Sequence, residues 1–231
     1  MKHVSFFART TAATLLCLPL AFSAALAENA LTIAVKQDRY SVDPEKFTFT
    51  TRRPAAQIVE TAVKPDENFL PAPLLFQDWD YADGTYTVTL REGVTFSDGT
   101  PLNADSTIAA LKLYDTGKSD FLQIDQDSFE KLGEYQISFA SETGSALVIE
   151  NMTHRGTSLF GPSEDRAANP VGTGPYLLES YDPNQQITVV RNEAYWGDAP
   201  YVDQLTFRFI ADDNARLLAL QNGEIDIIGE V

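Results

Sequence analysis

The sequence is poor in the side chains that thiol and soft-metal chemistry require. Cys17 is its single cysteine, so no disulfide can form within the chain, and the histidines are two, His3 and His154. A zinc or iron centre draws on several His or Cys ligands, and this chain cannot assemble one from its own residues. A Ser–His–Asp relay would depend on His154, yet no Gly-x-Ser-x-Gly elbow occurs anywhere. Basic residues are also scarce, 17 Lys and Arg against 33 Asp and Glu, for a net charge of −16. Such a surface repels nucleic acid and anionic lipid. Phosphate-cradling loops are missing too. Gly172-Thr173-Gly174-Pro175 has no lysine behind it and leads into strand-like sequence rather than a helix. No fixed-period repeat and no low-complexity segment is present.

What is there begins with an export signal. Lys2 and Arg9 give a basic start, Thr10 to Leu26 is small and apolar, and Ala25-Leu26-Ala27 is a small-x-small site. This pattern predicts a signal peptide over 1–27, cleaved before Glu28, rather than a membrane span. Cys17 lies inside it, and Thr14-Leu15-Leu16 lacks the small residues that precede a lipid-modified cysteine. The chain is 44% apolar with scattered aromatics, a globular composition of one or two packed domains.

Leu31 to Val35 reads as a buried strand. Asp43-Pro44 breaks a loop from Ser41 to Phe47. Ala55 to Val63 is helix-permissive, with Ile58, Val59 and Ala62 on one side and Pro65 as its stop. Ala82-Asp83-Gly84 is a hairpin turn, followed by Thr85 to Leu90, where threonine alternates with Tyr86, Val88 and Leu90. Asn103 predicts the N-cap of a helix to about Tyr114, with Ala104, Ile108 and Leu111 facing inward. Tyr135 to Phe139 reads as a strand, Ser145 to Met152 as a short helix, and Gly156 to Ala168 as a surface loop. Asn169 to Ile210 reads as a three-strand meander entered through a sharp turn at Gly172 to Pro175. Asp212 or Asp213 caps a helix carrying Leu217, Leu218 and Leu220, Gly223 closes it, and Ile225 to Ile228 starts a further strand.

Several candidate chemistries stay open on the residues alone. Asp120, Asp125 and Asp127 are spaced like a solvated acidic patch, without the Asp-x-Asp-x-Asp-Gly loop of a calcium site. A glycosidase needs no more than two carboxylates at a suitable separation, which an acidic chain always offers. Trp79, Phe121, Tyr195 and Trp196 could stack on a ligand, although an aromatic at a strand end or turn more often packs into the core.

Three blocks carry a resemblance. The first is Leu75-Phe76-Gln77-Asp78-Trp79-Asp80 with Asp83-Gly84-Thr85-Tyr86-Thr87-Val88-Thr89-Leu90-Arg91-Glu92-Gly93-Val94-Thr95-Phe96-Ser97-Asp98-Gly99-Thr100-Pro101. The second is Val171-Gly172-Thr173-Gly174-Pro175-Tyr176 with Arg191-Asn192-Glu193-Ala194-Tyr195-Trp196-Gly197. The third runs from Ala215-Arg216-Leu217 to Leu220-Gln221-Asn222-Gly223-Glu224-Ile225-Asp226. In this order they resemble the extracellular solute-binding proteins of family 5, the peptide- and nickel-type receptors of ABC importers. The resemblance implies an α/β fold, a periplasmic-binding-protein type II-like lobe with an inserted small α+β domain. Residues 28–62 and 168–231 would belong to the first lobe and 63–167 to the insertion. The family's chains are longer, so the second lobe is expected to be absent from this chain.

The same resemblance implies a periplasmic, monomeric receptor that is not an enzyme and carries no cofactor. It would take a peptide or similar small solute and hand it to a membrane permease. In the nickel-binding branch an early loop supplies an aromatic and a methionine, which correspond here, counted from Asp43-Pro44, to Phe47 and Arg52. A branch tryptophan falls near Phe121. An Arg-Pro-Phe-Arg-Phe stretch reads here as His154-Arg155-Gly156-Thr157-Ser158. Arginine in place of methionine, and serine in place of the second arginine, argue against a nickel chelate. Arg155 is suited to bidentate pairing with a carboxylate or phosphate. Phe47, Arg52, Phe121, His154 and Arg155 are thus the candidate ligand-binding residues. The competing expectation is a secreted carbohydrate-active hydrolase working through paired carboxylates.

Overall fold

The computed structural model describes residues 29–37, 57–114, 122–166 and 169–229. The export signal, the 41–47 loop, Phe47, Arg52, Asp120 and Phe121 lie outside the described residues.

The local turn signals become a four-stranded antiparallel sheet. Strand β5 (Phe76–Ala82) folds back on β6 (Thr85–Leu90), with Tyr81 opposite Tyr86 and Trp79 opposite Val88. Asp83 and Gly84 both take positive φ, 51° and 83°, as a two-residue hairpin of this twist requires. Tyr86, Val88 and Leu90 are buried while Thr85 and Thr89 are exposed, the alternation expected of a half-covered strand. β7 (Glu130–Gly133) and β8 (Gln136–Ala140) complete the order β5-β6-β8-β7. β7 has no apolar alternation that would have marked it in the sequence.

Helix α1 (Ala104–Lys112) packs near this sheet and is capped as predicted. The Asn103 side-chain oxygen accepts from the Ser106 N–H at 3.0 Å, and Ser106 Oγ accepts from the Asn103 N–H at 2.9 Å. Its buried face is Ala104, Thr107, Ala110 and Leu111, with Ile108 at the edge. Asn103→Ala is expected to lower the urea-unfolding free energy by about 1 kcal/mol, since the N3 amide loses its acceptor. An unchanged midpoint would mean that the cap contributes nothing.

The second sheet has five strands in the order β10-β11-β12-β1-β13. β10 (Tyr176–Asp182), β11 (Gln186–Arg191) and β12 (Gln204–Phe209) form the antiparallel meander. β1 (Ala30–Val35) is inserted parallel between β12 and β13 (Ile227–Ile228). β1 is buried chiefly at its end, at Ala34 and Val35, and not along its whole length. A single-turn helix α2 (Val148–Asn151) lies between the sheets in the chain, and Asp212 caps α3 (Asp213–Gln221), its Oδ1 accepting from the Ala215 N–H at 2.8 Å, with Gly223 following at φ 71°. The inward residues of α3 are Arg216 and Ala219, whereas Leu217 and Leu218 are about half exposed, at 48% and 57%.

Two sequence expectations are corrected between these sheets. The stretch read as a helix at 55–63 contains β2 (Glu60–Thr61) and the start of β3 (Val63–Pro65), which pairs with β4 (Pro71–Pro73). Ile58, Val59 and Ala62 are buried as expected, but in turn and bend backbone around β2 rather than in a helix. The stretch read as surface loop after Gly156 buries Thr157, Ser158, Leu159 and Phe160, and its β9 (Ser158–Leu159) pairs antiparallel with β2. Neither segment has a local signal for pairing, because each partner is about 100 residues away in the chain. A continuous apolar core, including Val88, Phe139, Leu111, Ile187, Val189 and Phe207, joins both sheets through this small β2–β9 ribbon.

Candidate functional site

Two of the three sequence blocks that carry the resemblance converge on one side chain that neither contains. The Glu60 carboxylate accepts from Thr173 Oγ1 at 2.9 Å, from Tyr195 OH at 2.8 Å and from Trp196 Nε1 at 2.9 Å. Arg91, from the end of β6, stacks its guanidinium 4.9 Å from the Trp196 ring centroid and anchors itself by donating from Nε to the Leu74 carbonyl at 2.7 Å. The Tyr195 and Trp196 rings lie 5.5 Å apart. Burial raises the Glu60 pKa above the ordinary glutamate value, against the pull of its three hydrogen bonds and of the Arg91 charge. The Tyr195 phenol is pushed well up by its own burial and by the adjacent carboxylate.

The glycines of the second block serve this assembly by allowing contact. Neither Gly172 nor Gly174 occupies the left-handed region, so the expected need for a sharp glycine turn is not what fixes them. A Cβ at Gly172 would lie 2.0 Å from the Ile58 carbonyl oxygen, and one at Gly174 would lie 2.5 Å from that of Gln57. The backbones touch through hydrogen bonds: the Gly174 N–H donates to Ile58 O at 2.9 Å and the Tyr176 N–H to Gln57 O at 3.0 Å. Asn192 completes the lock, its Nδ2 donating to the Gly174 carbonyl at 3.1 Å. Tyr195 and Trp196 therefore act as packing and hydrogen-bonding groups of the fold.

Beside this assembly opens a cleft of about 240 Å³, lined by Val59, Glu60, Thr61, Lys64, Pro65, Leu74, Thr153 and Ser158. Its two walls are the β2–β3 segment and the turn that carries His154 and Arg155. His154 caps the short 3-10 turn Arg155–Thr157, its Nδ1 accepting from the Gly156 N–H at 3.1 Å. An accepting Nδ1 leaves the ring proton of the neutral imidazole on Nε2. Tyr114 braces the same wall from beneath, donating to the Ser158 carbonyl at 2.5 Å. Of the five residues singled out from sequence, His154 and Arg155 lie in the turn between the lining residues Thr153 and Ser158 and are not themselves among the residues that line the cleft. Phe47, Arg52 and Phe121 lie outside the described residues. Sequence reasoning missed Glu60, Thr61 and Lys64. A glutamate followed by a β-branched residue in an apolar run was their one available mark.

Chemically the cleft offers an exposed ammonium at Lys64, hydroxyls at Thr61, Thr153 and Ser158, and apolar walls. Thr61 Oγ1 already donates to Val63 O at 2.7 Å and Thr153 Oγ1 to Glu150 O at 2.7 Å, so both present lone pairs rather than protons. The one carboxylate on the wall, Glu60, is held by three donors. Among the described residues no group of three or more His, Cys, Asp or Glu side chains could hold a metal ion. This is equipment for holding a small polar solute.

Residues 71–231 match the family model described as bacterial extracellular solute-binding proteins, family 5 Middle. The chain is 29% identical over 241 residues to the nickel-binding periplasmic protein of Escherichia coli K12, covering 97% of this chain and 45% of that one. It is 27% identical over 214 residues to the glutathione-binding protein GsiB of Salmonella typhi, covering 87% of this chain and 42% of that one. Among solved structures, the nickel ABC transporter protein of Bacillus halodurans superposes with a TM-score of 0.76 at 33% identity, over 86% of this chain and 42% of that one. The chain thus spans under half the length of the relatives it matches. These relatives are solute-binding proteins of transport systems. With the family model matched over residues 71–231, most of its length, the chain belongs to the bacterial extracellular solute-binding proteins of family 5.

Proposed function

We propose that the chain is part of a periplasmic receptor for an ABC importer, and that it holds a peptide or similar small solute in the cleft between β2–β3 and the 153–158 turn. Residues 28–62 and 168–231 form the receptor's first lobe and 63–167 a domain inserted in it. The division is supported by β1, which shares a sheet with β10 to β13, while β5 to β8 make a sheet of their own. The observation that carries the functional reading is the position of the cleft. Its wall includes Glu60, the residue on which two of the family's sequence blocks close.

The ligand is bound as an anion-bearing peptide. Lys64 supplies positive charge at the cleft in a chain of net charge −16, and Thr61, Thr153 and Ser158 supply acceptors for peptide N–H groups. Phe47, Arg52, Phe121, His154 and Arg155 are proposed contacts, with Lys64 added to them. A peptide ligand is favoured over a nickel chelate because Arg52 stands where the nickel-binding branch has a methionine. The protein delivers its solute to a membrane permease, acts as a monomer and catalyses nothing.

Calorimetric titration of the protein with glutathione, with a panel of tripeptides and with nickel–histidine tests this. Saturable binding of one or more peptides is expected, weakened about tenfold in Lys64→Glu by reversal of a charge at the ligand. Release of reducing sugar from oligosaccharides, lost on replacing two acidic residues, would overturn the receptor reading in favour of a hydrolase.

A further inference from the structure

A cavity larger than this cleft lies elsewhere among the described residues, between α1 and the segment following β9. It encloses about 460 Å³, within the size range of small-molecule sites. Pro101, Ala109, Leu113, Phe160 and Pro162 make it largely apolar, and Arg166 lines one side. The polar groups on its wall are committed to their own neighbours, with one exception. Asn103 and Ser106 satisfy each other in the helix cap, and Ser106 Oγ also donates to the Pro101 carbonyl at 2.9 Å. Asp105 is paired with Lys131 at 2.6 Å.

Arg166 is the exception. Its Nε is shut off from solvent and has no hydrogen-bond acceptor. No carboxylate among the described residues forms an ion pair with it. In a chain with 33 acidic residues, an arginine without one beside an apolar cavity is poorly explained by chance surface placement. A buried guanidinium N–H without an acceptor is costly, and a planar two-oxygen anion is the group that matches its fork. The apolar remainder of the cavity asks for a hydrocarbon body attached to that anion.

We propose that this cavity is a second binding site, separate from the Lys64 cleft, for a small amphipathic carboxylate. The ligand is one carboxylate on an aromatic or branched aliphatic group. The carboxylate accepts from the Arg166 guanidinium and the hydrocarbon lies against Phe160, Leu113 and Ala109. No step of the solute-receptor reading is needed for it, so either can fail alone.

The test uses the full chain with phenylacetate as probe and phenylacetamide as its neutral counterpart, followed by ligand-observed NMR and calorimetry. Saturable binding of phenylacetate is expected with Kd of about 1 mM or tighter, as suits a fragment of ten heavy atoms. Phenylacetamide should bind at least about tenfold more weakly, because the charge-assisted pairing is lost. Arg166→Gln should weaken phenylacetate by a similar factor. Ala109→Trp, at an exposed position of α1, should block it by filling the cavity while leaving far-ultraviolet circular dichroism unchanged. Lys64→Gln should leave it intact. Absence of saturation at about 10 mM would overturn the proposal. So would equal affinity for acid and amide, or binding lost in Lys64→Gln and kept in Arg166→Gln.

Discussion

Gly172→Ala should unfold at much lower urea concentration than the parent, with a loss of about 3 kcal/mol or more. The added methyl would meet the Ile58 carbonyl oxygen at 2.0 Å, its carbon at 2.8 Å and Val59 Cγ1 at 2.8 Å. Two of these three atoms are backbone, so no rotamer change relieves the clash. Gly172 is also fixed from the other side, its carbonyl accepting from the Ser97 N–H at 2.8 Å. The segment must therefore separate from 57–59, and with it go the Gly174–Ile58 and Tyr176–Gln57 hydrogen bonds. Gly93→Ala provides the contrast. Gly93 has φ 78° but nothing within 4 Å of a Cβ, so its cost is the left-handed strain alone, about 1 kcal/mol. Equal losses at the two positions would show that close backbone approach is not what holds Gly172.

Glu60→Leu should be comparably severe, at about 3 kcal/mol, while Glu60→Gln should be mild. Leucine leaves the Trp196 indole N–H, the Tyr195 hydroxyl and the Thr173 hydroxyl without their acceptor. Glutamine can keep all three contacts. Its carbonyl oxygen takes the Oε2 position, where Thr173 and Trp196 donate, and its amide donates to a Tyr195 hydroxyl turned to accept. The two variants also separate packing from charge through pH. Burial raises the folded-state pKa of Glu60 above 4.5, so the fold favours its protonated form. Its contribution is then fully present below about pH 4.5 and declines as pH rises through the folded pKa. The stability of the parent relative to Glu60→Gln should accordingly fall from pH 4.5 upward and level off once Glu60 is ionised. Urea midpoints of both proteins across that range measure it. A difference that grows with pH would mean that the three donors outweigh desolvation.

How much was legible in the sequence follows from how far apart partners lie. The Asp83-Gly84 hairpin, the Asn103 cap, the Asp212 cap and the three-strand meander are each specified by residues within one turn or two adjacent strands, and all are present. Glu60 could not be read. Its donors come 113, 135 and 136 residues later, and its own neighbours Ile58, Val59 and Ala62 have a spacing that suits a helix equally well. The same distance hid β9, whose polar, glycine-containing surroundings look like surface until Ser158 and Leu159 are paired with Thr61 and Glu60. The sequence blocks named the family correctly, yet why Tyr195-Trp196 follows Arg191-Asn192 is visible in the folded chain alone. Of the proposed site, the resemblance suggested the His154–Arg155 turn. Lys64 and Thr61 were not legible, because a lysine and a threonine near a proline carry no mark of a cleft.

The position of β1 has a consequence for the time course of folding. Its neighbours in the sheet are β12 and β13, and its flanking contacts tie Asn29 to Asp203 and Thr32 to Asp226, spans of 174 and 194 residues. The earliest strand to leave the ribosome is thus the last to find its place. The β5–β8 sheet can close on itself within about 65 residues of chain, whereas the five-stranded sheet cannot close around β1 until β12 and β13, at Gln204–Phe209 and Ile227–Ile228, have been made. Loop closure over such spans is slow, and the interval leaves an apolar strand without partners. Refolding from urea should accordingly be biphasic, with Trp79 on β5 reporting a fast phase and protection of the Ile33 and Ala34 amides appearing in a slower one.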